Sequence, residues 1–232
     1  MDKPLVSILV NAYNAEAYLK EALDSALAQT YQNFEVVVLD DQSTDRTPDI
    51  VKSYAANDAR FRHVRPEKRL GLKEGRNELL RQARGGYFTY LDSDDIYLPG
   101  KVEEELNFLE LHHECAAVYC NINYFFDGAP EVLYRHRYTF YSGPDVFPHL
   151  LEKMFITNTA TMMRREVYDK LGGYNPELGM VEDWEYFLRM SYEGYQIAFL
   201  DRGLVRYRLR WDNNTNFERQ LVIQDSAVNI FK

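Results

Sequence analysis

Cysteine is scarce: the 232 residues include only Cys115 and Cys120. Two cysteines cannot make a disulfide framework. If 116–123 is a strand, their odd spacing puts them on opposite faces, with backbones roughly 16 Å apart and beyond bridging reach. Two reduced, buried thiols are expected. Long apolar runs are also missing, so no membrane-spanning segment is read. The start, Met1-Asp2-Lys3-Pro4, lacks a signal-peptide pattern. The expectation is a soluble cytoplasmic chain, with peripheral attachment at the inner face of a membrane left open. Positive charge is in the minority, with 27 Lys and Arg against 36 Asp and Glu, a formal charge of −9. Nucleic-acid binding needs a basic face and is therefore excluded. The glycine patterns of dinucleotide sites and P-loops are absent, as is the G-x-S-x-G context of a serine nucleophile. His112 and His113 are adjacent and no third ligand has zinc spacing, so they read as solvated helix surface.

What remains is globular: 46% apolar and 27% charged residues, without repeats or low-complexity segments. A single domain over 1–232 is expected. In its first half, strand-like and helix-like segments alternate. The apolar, β-branched runs 6–10 and 35–39 read as strands, as do 61–65 and 87–91. Helical spacing follows Asn14, a candidate cap, at Leu19, Ala22, Leu23, Ala26 and Leu27. Thr47-Pro48 opens a second helix, with the Thr47 hydroxyl as its cap and proline at the first helical position, 73–84 forms a third, and Leu98-Pro99-Gly100 leads into a fourth. Repeated β-then-α units imply an α/β fold, Rossmann-like, with a mainly parallel central sheet flanked by helices. Ligands of such sheets bind beyond the carboxyl ends of the strands. In the second half, 116–123, 131–135 and 158–163 read as strands, and 144–154, 165–171 and 182–192 as helices. The segment 206–210 alternates, with its arginines on one face. The tail over 217–232 has the pattern of an amphipathic helix.

Two of the strands end in acid. In Asp92-Ser93-Asp94, carboxylates at i and i+2 on an extended chain point the same way. They can hold a hard divalent cation, Mg²⁺ or Mn²⁺, whose open positions accept diphosphate oxygens. An acidic protein would then bind an anion through metal; the competing reading is a plain polar turn. Asp40-Asp41-Gln42-Ser43-Thr44-Asp45 begins like a calcium loop but has Arg46 where glycine is needed and Lys52 where glutamate is needed. Its plain reading is a turn and cap; Asp41 as an acceptor for a nucleobase or ribose is the alternative. Glu182-Asp183-Trp184-Glu185 suits the first turn of a helix through the dipole alone. It also suits a general base beside an apolar wall of Trp184 and Tyr186, which offer faces to a sugar.

In this order, the segments 6–14 (VSILVNAYN), 39–47 (LDDQSTDRT), 71–77 (GLKEGRN), 87–95 (YFTYLDSDD), 172–175 (GGYN) and 182–189 (EDWEYFLR) resemble glycosyltransferase family 2, the inverting enzymes with the GT-A fold. The likeness runs from about Leu5 to about Arg210. It implies a nucleotide-sugar-binding half over about 1–115, a mixed acceptor-side half over about 116–210, and a tail over 211–232. It implies that Ala12 and Tyr13 line the base pocket, that Asp41 reads the base, and that Lys73 or Arg76 lies near the nucleotide. Asp92 would meet ribose or the metal shell, Asp94 would ligate Mn²⁺ or Mg²⁺, and Asp183 would be the catalytic base, with Glu182 the alternative. The implied partners are a nucleotide-diphospho-sugar, expected to be UDP-linked, and a glycan or other hydroxyl acceptor. The implied role is polysaccharide or glycan biosynthesis. Two positions depart from the pattern. Ala12 stands where many relatives have threonine or serine. Arg210 stands where many have histidine, so direct pairing of Arg210 with phosphate is expected in place of a metal ligand. A non-catalytic nucleotide-sugar-binding module and a metal-dependent nucleotidyltransferase are the alternatives.

Overall fold

The computed structural model describes residues 3–135, 140–178 and 181–210. The amphipathic tail read at 217–232 lies outside the described residues. The strands are β1 (Val6–Ala12), β2 (Phe34–Asp40), β3 (Phe61–Val64), β4 (Tyr87–Tyr90), β5 (Ile96–Tyr97), β6 (Cys115–Phe126), β7 (Ala129–Arg135), β8 (Thr161–Arg164) and β9 (Gln196–Leu209). The helices are α1 (Leu19–Leu27), α2 (Thr47–Asn57), α3 (Gly71–Gln82), α4 (Lys101–Leu111), α5 (Val146–Glu152), α6 (Arg165–Leu171) and α7 (Glu182–Tyr192). The strands form one sheet in the order β3-β2-β1-β4-β8-β6-β9-β5, with β7 added on β6.

β1, β2, β3 and β4 are mutually parallel, as the βα alternation requires. Beyond β4 the sheet is mixed: β8 runs antiparallel to both β4 and β6, and β9 parallel to β6. The central strands are apolar on both faces because helices cover both. Ile8, Val10, Val36 and Val38 face one core layer with Leu19, Leu23, Val51 and Leu106. Leu9, Val37 and Leu39 face the other with Leu79, Leu80, Val167 and Phe187. Strand alternation sorts the side chains between the two layers.

Three local expectations are corrected. Cys115 and Cys120 are free and buried, but both lie in the same core layer. The β6–β9 register shifts between Cys115 and Ala117, and the irregularity inverts the parity that a regular strand would impose. Asn14 does not cap α1. It adopts a positive φ of 47°, its amide donates to Ser43 Oγ, and its Oδ1 accepts from the Thr44 amide. Asn14 thus ties the β1–α1 loop to the β2–α2 loop. Thr47 does open α2, but its hydroxyl accepts from the Ala15 amide and makes no cap within its own helix. The two-residue strand β5 has too little pattern to be read from sequence, yet it pairs with β9 at Ile96 and Arg206. Among the described residues no helix is long and apolar enough to cross a membrane.

Candidate active site

β1, β2 and β4 end on one edge of the sheet, so residues 12–13, 41 and 92–95 meet there. Ala12 is buried and pairs with Asp40 across the ladder, and its carbonyl accepts from the Asp41 amide at 2.8 Å. Tyr13 projects from the strand end and is 41% exposed. Asp41 is buried, and its two oxygens accept from the Leu70 and Gly71 amides at 2.7 and 2.8 Å. These bonds hold the entry to α3, where Gly71 takes a φ of 79° that suits glycine. The Arg69 guanidinium lies over the Tyr13 ring, 3.6 Å from its centroid.

α3 supplies the centre of the site. Arg76 is buried beneath it, donating to Glu182 Oε1 at 2.8 Å and standing 3.6 Å from Asp92 Oδ1. Its guanidinium also lies near the Tyr90 and Tyr174 rings. Burial opposes its charge, but Asp92, Glu182 and Asp183 more than offset that and hold it firmly protonated. Asn77, next in the chain, accepts from the Tyr174 amide at 2.8 Å and donates to the Tyr174 carbonyl at 2.9 Å. The segments 71–77 and 172–175, nearly 100 residues apart, are thereby clasped. Lys73 donates to the Leu178 carbonyl, fastening α3 to the segment before α7.

α7 presents two acids that differ in surroundings. Glu182 is 4% exposed and committed to Arg76. Asp183 is partly open, and its Oδ1 accepts from the Trp184 amide at 2.9 Å. Burial, then the neighbouring Glu182 charge, pushes the Asp183 carboxyl up to about 6, against the opposing pull of Arg76. The Trp184 indole donates to the Leu150 carbonyl at 2.6 Å, which fixes this wall of the site to α5. Tyr186, read from sequence as a face for sugar, is instead fully buried against Tyr174.

The end of β4 carries three carboxylates. Asp94 is raised by burial and by the Asp92 charge, and Arg210 opposes this from 3.3 Å. Asp95 is buried and raised well above the usual carboxylate range by burial and by Asp92 and Asp94. Arg210 therefore sits on Asp94 itself, with its guanidinium also over the Tyr18 ring. Sequence reasoning passed over Arg208. Its amide donates to Asp95 Oδ1 at 3.0 Å and its Nε to the Asp94 carbonyl at 2.9 Å, and its side chain pairs with Asp127 and Glu21. The alternating arginines of 206–210 were the available signal. What placed them was the unread β5, which seats β9 beside 94–97.

The residues fit a divalent cation. Among the described residues no group of three His, Cys, Asp or Glu is gathered to hold a metal. Mg²⁺ and Mn²⁺ need only one or two carboxylates when substrate phosphates complete the shell. Asp92 and Asp94 are two carboxylates that could serve in this way, and burial followed by the Asp92 charge raises Asp94, so its ionised form would gain from a cation.

A protein-family model described as glycosyl transferase family 2 matches residues 7–172. A Bacillus subtilis protein with the provisional name glycosyltransferase EpsE is 31% identical over 99% of this chain and 81% of its own length. TuaG of Bacillus subtilis, provisionally named a teichuronic acid biosynthesis glycosyltransferase, is 30% identical over 89% of this chain and 80% of its own. S. aureus TarS 1–349 in complex with UDP-GlcNAc superposes with a TM-score of 0.74 at 22% identity, over 98% of this chain and 66% of that one. The mannosyltransferase PcManGT of Pyrobaculum calidifontis, in complex with GDP-Man and Mn²⁺, gives a TM-score of 0.71 at 21% identity, over 91% and 59%. The chain thus spans 66% and 59% of these two structures, which share its GT-A fold: helices on a mixed sheet.

Proposed function

From the premise that the chain belongs to glycosyl transferase family 2, a family of sugar-transferring enzymes, we propose that it moves a sugar from a UDP-linked donor to an acceptor hydroxyl with inversion. The observation that carries this is the buried Arg76, which joins the acid-rich end of β4 to the two acids at the start of α7. A donor diphosphate at the strand ends then lies across from Asp183. A carboxylate raised to about 6 is ionised at neutral pH and still basic enough to take a proton. In this reading Asp183 removes the proton of the acceptor hydroxyl as it attacks the anomeric carbon. The bond to the diphosphate breaks on the opposite face, so one displacement inverts the centre and needs no second nucleophilic carboxylate. Arg76, paired with Glu182, opposes the rise of the Asp183 carboxyl, and the Trp184 amide donates to Asp183 Oδ1.

Asp92 and Asp94 would hold Mn²⁺ or Mg²⁺, which when bound offsets the charge developing on the departing nucleoside diphosphate. Arg208 fixes the Asp94 carbonyl and the Asp95 carboxylate, and Arg210 keeps positive charge beside Asp94. Tyr13 and Asp41 flank the base. TarS carries UDP-GlcNAc and PcManGT carries GDP-Man, both nucleoside-diphosphate sugars, and the name of TuaG points to polysaccharide synthesis. These support the donor class and a role in building a glycan. The test is product analysis with UDP-sugars, Mn²⁺ and a panel of glycan acceptors. Release of UDP with a new inverted linkage is expected. Release of sugar 1-phosphate, the leaving group of uridylyl transfer from the same donor, would replace this reading with nucleotidyl transfer.

A further inference from the structure

Four polar side chains are buried together at the base of the acid-rich turn, and three of them lie outside the segments that point to sugar transfer. Thr89 of β4, Tyr97 of β5, and Lys101 and Glu105 of α4 are all buried. The Lys101 ammonium donates to Glu105 Oε2 at 2.6 Å and to Thr89 Oγ1 at 2.8 Å, and it lies over the Tyr97 ring, 4.3 Å from the centroid. The Tyr97 hydroxyl donates to the Tyr90 carbonyl. Thr89 Oγ1 stands between that hydroxyl, at 2.9 Å, and the Thr161 carbonyl of β8, at 2.8 Å. The Tyr97 amide donates to Ser25 Oγ of α1 at 3.0 Å. Replacing a buried ion pair such as Lys101–Glu105 by apolar residues is often neutral or stabilising, so stability alone is a poor account of it.

The chain leaves β4 at Tyr90, passes through Asp92, Asp94 and Asp95, and enters β5 at Ile96-Tyr97. The bond from the Tyr97 hydroxyl to the Tyr90 carbonyl therefore closes the turn at its base. Within the turn the Asp95 amide donates to the Asp92 carbonyl at 3.0 Å. The Asp92 and Asp94 side chains stay 37% and 23% exposed, so the base is fixed while both acids remain open to a ligand.

We propose that Tyr97 is a positioning residue for the cation-binding turn: oriented by Lys101, its hydroxyl sets the spacing of the Asp92 and Asp94 carboxylates. This rests on the reading of that turn as the Mn²⁺ or Mg²⁺ site. A carbonyl only accepts, so the Tyr97 proton goes to Tyr90. Thr89 Oγ1 takes its donor from Lys101 and does not need that proton. A metal site holds its ion only while its ligands keep their geometry to within about 0.5 Å. Groups that orient the ligands are accordingly worth about 10–100-fold in metal affinity.

The experiment is calorimetric titration of the full chain with UDP, once with Mn²⁺ and once with EDTA, for the wild type, Tyr97→Phe and Val51→Ala. Tyr97→Phe removes a single oxygen. Val51→Ala opens the core under α2 and serves as a destabilised control away from the turn. Tyr97→Phe is expected to lose about tenfold in UDP affinity with Mn²⁺ and nothing with EDTA. Val51→Ala is expected to bind as the wild type does in both. Melting temperatures without ligand establish that each variant is folded at the assay temperature. If Tyr97→Phe is not, Thr89→Val, which removes the oxygen between Lys101 and Tyr97, takes its place with the same expectation. Wild-type affinity with Mn²⁺, an equal loss with EDTA, or a matching loss in Val51→Ala overturns the positioning role alone. A wild type that binds UDP equally well with EDTA overturns the metal reading and this inference with it.

Discussion

Arg76 and Glu182, 106 positions apart in the chain, form a 2.8 Å ion pair whose side chains are 7% and 5% exposed. The pair joins α3 to α7 across the crevice floor and leaves Asp183 as the acid of its motif open to a ligand. Removing one partner strands a buried charge, which costs about 3–5 kcal/mol. Arg76→Met is expected to lower stability by that order in urea unfolding. The double variant Arg76→Met, Glu182→Leu is expected to recover part of the loss, as the cycle measures the pair and not the sites separately. A double variant no better than the single would mean that Asp92 and Asp183 are the partners that matter.

Asp183→Asn keeps the shape and removes the basic oxygen. Transfer is expected to fall by about 10²–10⁴-fold while UDP binding is retained. Stability is expected to hold or rise, because the native state raises the Asp183 carboxyl and its charge is therefore unfavourable in the fold. Turnover near the wild-type rate would remove Asp183 from the base role.

The pH profile follows from the same residue. Raised from 3.8 to about 6, Asp183 is deprotonated only above that value, so kcat/KM is expected to climb through pH 6 and then level. Over the interval from 3.8 to about 6 the native state binds the extra proton, so this group's contribution to stability declines as pH rises. Arg76 lowers the Asp183 value, so Arg76→Met is expected to move the acidic limb upward. A limb fixed near pH 4 in both proteins would contradict the assignment.

Chelation with EDTA is expected to abolish transfer, and Mn²⁺ to restore it. Asp94→Asn is expected to weaken Mn²⁺-dependent UDP binding by about tenfold or more, equivalent to about 1.4 kcal/mol. Equal UDP affinity with and without chelator would argue that Arg208 and Arg210 carry the charge compensation.

Gly173 faces Asn77 so closely that a Cβ would lie 2.1 Å from Asn77 Oδ1. Gly173→Ala is expected to spread the clasp between Asn77 and Tyr174 at a cost of about 1–3 kcal/mol. Thermal unfolding measures it, and an unchanged midpoint would mean that the loop shifts freely.

The amino-acid order alone determined the parallel half of the sheet, its helices and the acids at its strand ends. Apolar period and turn chemistry are local, and a strand buried between helices must be apolar throughout. The bounds of α6 and α7 follow from the same signals. Tertiary structure decided the rest. It gave Glu182 to Arg76 and left Asp183 open, a distinction that adjacent residues in one motif cannot carry. It placed Cys115 and Cys120 in one layer through a register shift, and it seated Arg208 under 94–95 through a two-residue strand. These outcomes depend on which distant group reaches a side chain first. Periodicity along the chain records which face is buried, not which partner waits there.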